Sequence, residues 1–138
     1  MKSEVSKRNQ YYLPKHRYYE LKHFCLQYKD WDKDIKLMNY LKSNACVLRI
    51  EFSNGSKYSR TESIAIKEKE VLDKMEMVDK TLKKVTLREP YLEVLREGLL
   101  YGSAYDKMEA SRDVMPMSRN EYYILCRKFF WLLDKVRK

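Results

Sequence analysis

The chain has 138 residues, only three glycines and three prolines, and a formal net charge of +9. This length suffices for one domain with a buried core, and the scarcity of glycine and proline predicts a mostly α fold with long helices. No apolar run reaches the roughly 18 residues of a membrane span or forms a signal-peptide core, so we expect a cytoplasmic protein without a membrane partner.

The N-terminal third predicts a loose arm followed by two helices. Residues 1–12 show no sustained periodicity, which is typical of an arm. From Pro14, apolar residues follow at helical spacing to Tyr28, and a second short helix is predicted from about Trp31 to Leu41. The arm and these helices carry many of the basic residues, among them Lys15, Arg17 and Lys22.

A strand signal lies between Cys46 and Tyr58. Leu48, Ile50 and Phe52 alternate with polar residues, and Asn54-Gly55 then supplies turn chemistry. The pattern predicts a small β-hairpin near residues 47–58, with an irregular loop as the alternative.

The longest periodic segment predicts a helix near residues 60–85. Ser59-Arg60-Thr61-Glu62 has the spacing of a capping box. Apolar residues then step by four and three, which is the seam of a heptad pattern: Val71, Met75, Val78, Leu82 and Val85. We favour packing of this seam within the monomer because two and a half heptads are short for a coiled coil, and a homo-oligomer formed through it is the alternative.

A fourth helix is predicted from Pro90 to Leu100. Tyr91, Leu92, Leu95 and Leu99 are its expected buried side. Gly102 is suited to end the helix at positive φ, and Ser103 is suited to cap a short helix that continues to Ala110 or Ser111.

The C-terminal residues 102–138 have the layout of a helix-turn-helix. A turn containing Pro116 precedes a long helix that begins after Ser118. Its expected core stripe repeats at spacings of three and four: Tyr122, Leu125 or Cys126, Phe129, Leu132 or Leu133, and Val136. The resulting division is an arm at 1–12, a helical region at 13–101 and a helix-turn-helix at 102–138.

Polar residues outside that stripe have the chemistry of a DNA contact. Arg119, Asn120 and Tyr123 lie in the first turns, where helix-turn-helix proteins contact base edges. Arginine pairs with guanine and asparagine with adenine, whereas Arg127 and Lys128 suit phosphates. Glu121 completes a capping-box spacing with Ser118, and the apolar Ile124 is unusual on such an edge.

The charge distribution supports a polyanionic partner. Residues 1–44 contain ten Lys and Arg against five Asp and Glu, residues 45–113 contain thirteen against thirteen, and residues 114–138 contain six against two. The excess therefore lies at the two ends, so Lys15, Arg17 and Lys22 are further candidates for phosphate contacts.

Other chemistry has weak support in the sequence. No catalytic motif is present, and we expect neither an enzyme nor a cofactor. The spacing of His16, His23 and Cys25 is not that of a zinc site, and the odd, widely spaced cysteines argue against a disulfide framework. The many tyrosines leave single-stranded nucleic acid as a lesser alternative.

Three stretches resemble small helical proteins of bacteriophages and prophages of Gram-positive bacteria. They are LPKHRYYELKHFCLQY, RTESIAIKEKEVLDKMEMVDKTL and GSAYDKMEASRDVMPMSRNEYYILCRKFFWLLDKVR. The layout is similar to the RinA and ArpU late transcriptional regulators, which carry a C-terminal helix-turn-helix like that of sigma region 4. The resemblance covers about half of the chain.

The resemblance implies a DNA-binding transcriptional regulator with Ser118 at the helix cap and double-stranded DNA as its partner. It directs Arg119, Asn120, Tyr123, Arg127 and Lys128 toward DNA. Two alternatives remain open, namely a small terminase subunit that forms a ring and an adaptor that binds host RNA polymerase.

Overall fold

The computed structural model describes residues 9–43 and 57–137. These residues are mostly α-helical and contain no β-strand, which confirms the predicted class. The helices are α1 (Lys15–Leu26), α2 (Tyr28–Ser43), α3 (Lys57–Val85), α4 (Glu89–Tyr101), α5 (Tyr105–Ala110) and α6 (Arg119–Val136).

Helix α3 confirms the long predicted helix but begins earlier than expected. Lys57 and Tyr58 are helical, so the predicted β-hairpin is wrong for these two residues, whereas residues 47–56 lie outside the described residues. Ser59 lies within the helix, so the prediction that it caps the helix is also wrong. A nucleated helix gains one hydrogen bond for each residue added, which favours its extension past a potential cap.

The chain divides into two compact units. One comprises Met1–Tyr28 and Met77–Lys138, and the other comprises Lys29–Glu76. In the second unit Trp31, Met38 and Val71 are buried, and the Lys74 ammonium lies 5.9 Å from the Trp31 ring centroid. The predicted divisions after residues 12 and 101 stay predictions.

The core of the first unit is formed by α1, α4 and α6, which pack against one another, with α5 packed on α4. Its fully buried side chains are large and apolar: Leu21, Leu95, Leu100, Met108, Phe129, Phe130 and Leu133 among them. Burial of side chains of this size stabilises the fold by about 1.5–3 kcal/mol each. Phe130 was not predicted in the core stripe, and Val136, which was, is 42% exposed because it is the last residue of α6.

The heptad seam of α3 packs within the chain. Val71, Val78, Leu82 and Val85 are buried, and Met75 is half-buried. An oligomer interface through this seam would have to uncover these side chains. The homo-oligomer through the seam therefore stays a prediction without support from the fold.

A polar network ties α4 to α3 in the first unit. Arg96 pairs with the Asp79 carboxylate at 2.6 Å and donates to the Tyr28 hydroxyl at 3.0 Å. The Tyr28 hydroxyl in turn donates to Asp79 at 3.1 Å, and the Arg96 guanidinium lies 5.3 Å from the Tyr28 ring centroid. All three side chains have a partner, which such a half-buried network requires.

The end of α4 confirms the predicted role of Gly102. Gly102 adopts φ 75°, and the Ser103 amide donates to the Glu97 carbonyl at 3.3 Å, which closes the helix. Because Ser103 takes part in this closure, the N-cap of α5 is Ala104, and the prediction that Ser103 caps α5 is wrong. Leu95 and Leu99 are buried as predicted, whereas Tyr91 and Leu92 are only half-buried. Val94 and Leu100, which were not predicted, complete the buried side.

Gly98 allows a close approach of α6 to α4. A Cβ atom at this position would overlap the Tyr122 hydroxyl and lie 3.0 Å from the ring carbon that carries it. The Tyr122 ring therefore packs directly on the α4 backbone. This contact explains a glycine in the interior of a helix, where alanine is otherwise favoured by about 1 kcal/mol.

We predict that Gly98→Ala lowers the free energy of unfolding by about 1–2 kcal/mol, because overpacking outweighs the gain in helix propensity. Urea unfolding measures the effect. Tyr122→Phe removes the overlapping hydroxyl, so the double variant should regain about 1 kcal/mol relative to Gly98→Ala alone. A Gly98→Ala protein as stable as the natural chain would contradict this packing.

We predict that stability falls as the pH rises above about 9. Burial raises the pKa of the Cys126 thiol from 9.0 to about 12, and burial also raises the pKa of Cys25, Tyr18 and Tyr122. In this range the unfolded chain releases protons that the folded chain retains, which costs up to about 1.4 kcal/mol per pH unit for each group.

Urea unfolding at pH 7, 9 and 10.5 tests the alkaline loss. Cys126→Ala should give a shallower decline than the natural chain because one of the linked groups is absent. A stability that is constant over this range, or an unchanged slope in the variant, would show that these groups are not linked to folding.

Candidate nucleic-acid interface

Helix α6 begins at the predicted cap. The Ser118 hydroxyl accepts a hydrogen bond from the Glu121 amide at 3.2 Å, as a capping residue should. The Glu121 carboxylate accepts from the Tyr91 hydroxyl at 3.4 Å. Glu121 is therefore held at the side of the helix facing α4, which explains an acidic residue in this first turn.

Helix α5 contacts the start of α6 through Tyr105. The Tyr105 hydroxyl donates to the Met117 carbonyl at 2.7 Å, immediately before the cap, and the Tyr105 and Tyr122 rings lie 5.5 Å apart. Tyr105, Met108 and Met117 are buried. The segment from Ser111 to Ser118 that joins the helices is longer than the usual turn of three or four residues.

Arg119 is exposed but already has partners. Its guanidinium forms an ion pair with the Asp106 carboxylate of α5 and lies 5.2 Å from the Tyr105 ring centroid. Its side chain remains 53% exposed. Exposed ion pairs of this kind contribute about 0–1 kcal/mol, so a stronger partner can displace Asp106.

Asn120 and Ile124 form the open part of the outward edge. Both are exposed, and they are four residues apart, which places them one turn apart on the same face of α6.

Tyr123 is half-buried beside Tyr122, with ring centroids 5.4 Å apart, and lies toward a cleft beside α1. Its ring is thus directed away from the open edge.

The first described residues of the chain lie against the same helix. Asn9, Gln10 and Tyr11 line a shallow groove together with Ile124 and Arg127. The Tyr11 ring meets the Trp131 ring edge-on with centroids 5.6 Å apart. This segment limits the open edge to the first two turns of α6.

Arg127 and Lys128 flank the open edge and are half-buried. The Arg127 Nε atom is buried and has no hydrogen-bond partner among the described residues. This Nε faces the protein, so an anion could contact Arg127 only through the terminal nitrogens of its guanidinium.

Of the three basic residues predicted on α1, Arg17 lies away from the start of α6. Arg17 pairs with Asp134 at 2.5 Å and donates to the Arg137 carbonyl, which lies at the other end of α6 from Arg119. Fifteen residues of helix separate Arg119 from Asp134, a distance of about 22 Å. Lys22 lies in the cleft, and Lys15 is exposed on the first turn of α1.

Several contacts of the site were not visible in the sequence. They are the ion pair of Arg119 with Asp106, the ring contact of Tyr11 with Trp131, and the Lys135 ammonium 3.4 Å from the Trp131 ring centroid. The first two join residues on different elements, and the third joins residues one turn apart on α6. For the contact between Tyr11 and Trp131, the available signal in the sequence was a tyrosine in the arm and a tryptophan three turns into the helix.

No protein-family model, curated protein or solved structure matches the chain. Among residues 9–43 and 57–137, no group of three or more His, Cys, Asp or Glu side chains is arranged to hold a metal ion. No helix in this part of the chain is long and apolar enough to cross a membrane.

We predict that Tyr11→Ala shifts the fluorescence emission of Trp131 to longer wavelength, because the indole loses its ring contact and meets more water. A Trp31→Phe background isolates this signal, since the chain has two tryptophans. Tyr101→Ala, which removes an exposed tyrosine elsewhere, is the matched control and should leave the spectrum unchanged. An unshifted Tyr11→Ala spectrum would mean that the segment does not rest on α6 in solution.

Proposed function

We propose that this protein is a DNA-binding regulator of transcription, encoded by a phage or prophage, that uses α5, the following turn and α6 as a helix-turn-helix. The observation that carries the proposal is the capped start of α6, which leaves Arg119 and Asn120 exposed while the opposite face is fixed in the core. The basic ends of the chain and the resemblance to phage regulators support the same function.

Base contacts are assigned to the open edge. Asn120 suits adenine, to which an asparagine amide gives two hydrogen bonds. Ile124, one turn further along the same face, suits the methyl group of thymine, so its apolar side chain fits a base contact as well. Arg119 suits guanine, provided that it exchanges Asp106 for the base.

Phosphate contacts are assigned to Arg127 and Lys128, with the first-turn amides of α6 as further donors. Lys15 stays a candidate because it is exposed, and Lys22 stays one at the cleft rim. Arg17 is committed to Asp134 and the Arg137 carbonyl, which favours a role in holding the end of α6.

We predict that selection from a random duplex library enriches a motif containing an adenine and a thymine. Asn120→Ala should cost about 1–3 kcal/mol on that motif and relax the preference at the adenine, because the bidentate contact is lost. Fluorescence anisotropy on the selected and scrambled duplexes measures both effects.

Lys128→Gln should weaken binding to both duplexes and reduce the slope of log affinity against log salt by about 1. Lys83→Gln removes the same charge from an exposed position on α3 and serves as the control. No enriched motif, or an Asn120→Ala protein with unchanged preference, would refute the proposed interface.

A further inference from the structure

A cleft of about 350 Å³ opens in the first unit beside α1, α4 and α6. Five aromatic side chains line it: Tyr18, Tyr105, Tyr122, Tyr123 and Phe130. The volume lies at the lower end of the range of small-molecule sites, about 300–1000 Å³. A ligand of one or two fused rings fits this space.

The aromatic walls are held in place by one another. The centroids of Tyr18 and Phe130 lie 5.1 Å apart in an edge-to-face contact, and Tyr122 packs on both Tyr105 and Tyr123. Tyr122 is further fixed against the α4 backbone at Gly98. A planar ligand would thus meet aromatic side chains that are already held in place rather than have to order them, which lowers the cost of binding.

One charged residue lines the described part of the cleft. Lys22 is half-buried there, and it forms no ion pair with the described residues. Ser103 adds a neutral polar residue to the same lining. A cleft lined by tyrosines alone would attract a cation. The Lys22 ammonium repels a cation and favours a ligand that carries a single negative charge.

We propose that this cleft binds a small planar aromatic monoanion, such as an aromatic carboxylate. The ring lies among the tyrosines, and the carboxylate pairs with Lys22. Lys22 is the one charged residue of the described lining, so a ligand with several negative charges has no second cation to meet there. This site shares Lys22 with the candidate phosphate contacts but includes neither Asn120 nor Ile124, and it does not depend on the proposed function.

Isothermal titration of the full chain with indole-3-acetate, neutral indole and cationic tryptamine tests the site without DNA. Indole-3-acetate should bind most tightly and tryptamine least. Lys22→Gln should weaken indole-3-acetate about fivefold, the effect of a partly exposed ion pair. Lys33→Gln removes the same charge from an exposed position on α2 and should change nothing.

Selective ¹⁵N-glycine labelling locates the ligand, because the chain has three glycines and two of them, Gly98 and Gly102, line the cleft. Their amide resonances, assigned with Gly55→Ala and Gly102→Asn, should move on titration. No detectable binding of indole-3-acetate, equal binding of tryptamine, equal loss in both lysine variants, or unmoved Gly98 and Gly102 resonances would each overturn the proposal.

Discussion

The packing of Tyr122 on the backbone of Gly98 is the contact on which the rest of the first unit depends. It brings α6 against α4 at a distance that no side chain at position 98 would allow. The same ring meets Tyr105 of α5 and Tyr123 of its own helix, so one residue fixes the relation of three helices. Because Tyr122 lies in the first turn of α6, this fixation also determines which side of the helix start faces outward.

Helix α6 therefore serves as both core and surface. Cys126, Phe129, Phe130 and Leu133 are buried within a single chain, so the orientation of the opposite edge is set by apolar packing rather than by contacts of the edge itself. The edge is then divided along its length. Asn120 is open, and Ile124 borders the groove that residues 9–11 line. Further along the helix, Tyr11 and Lys135 both contact the Trp131 ring.

Local features of the fold could be predicted from the sequence, because they depend on residues close together in the chain. The cap at Ser118, the end of α4 at Gly102 and the extent of α3 to Val85 are of this kind. Phe130 was missed because a buried face wider than one stripe depends on how many helices surround it. The Arg119 pair with Asp106 and the aromatic cleft required the packing of distant segments, and no periodicity encodes that packing.

The ion pair between Arg119 and Asp106 has a consequence for discrimination between partners. Any anion that approaches Arg119 must compete with a carboxylate already in place, and once displaced, Asp106 is a negative charge beside the newcomer. A phosphate contacted at random gains little from that exchange. Under the proposed function, a guanine edge, which accepts two hydrogen bonds and is uncharged, would lose less to Asp106, so the acid would lower affinity for the wrong site more than for the right one.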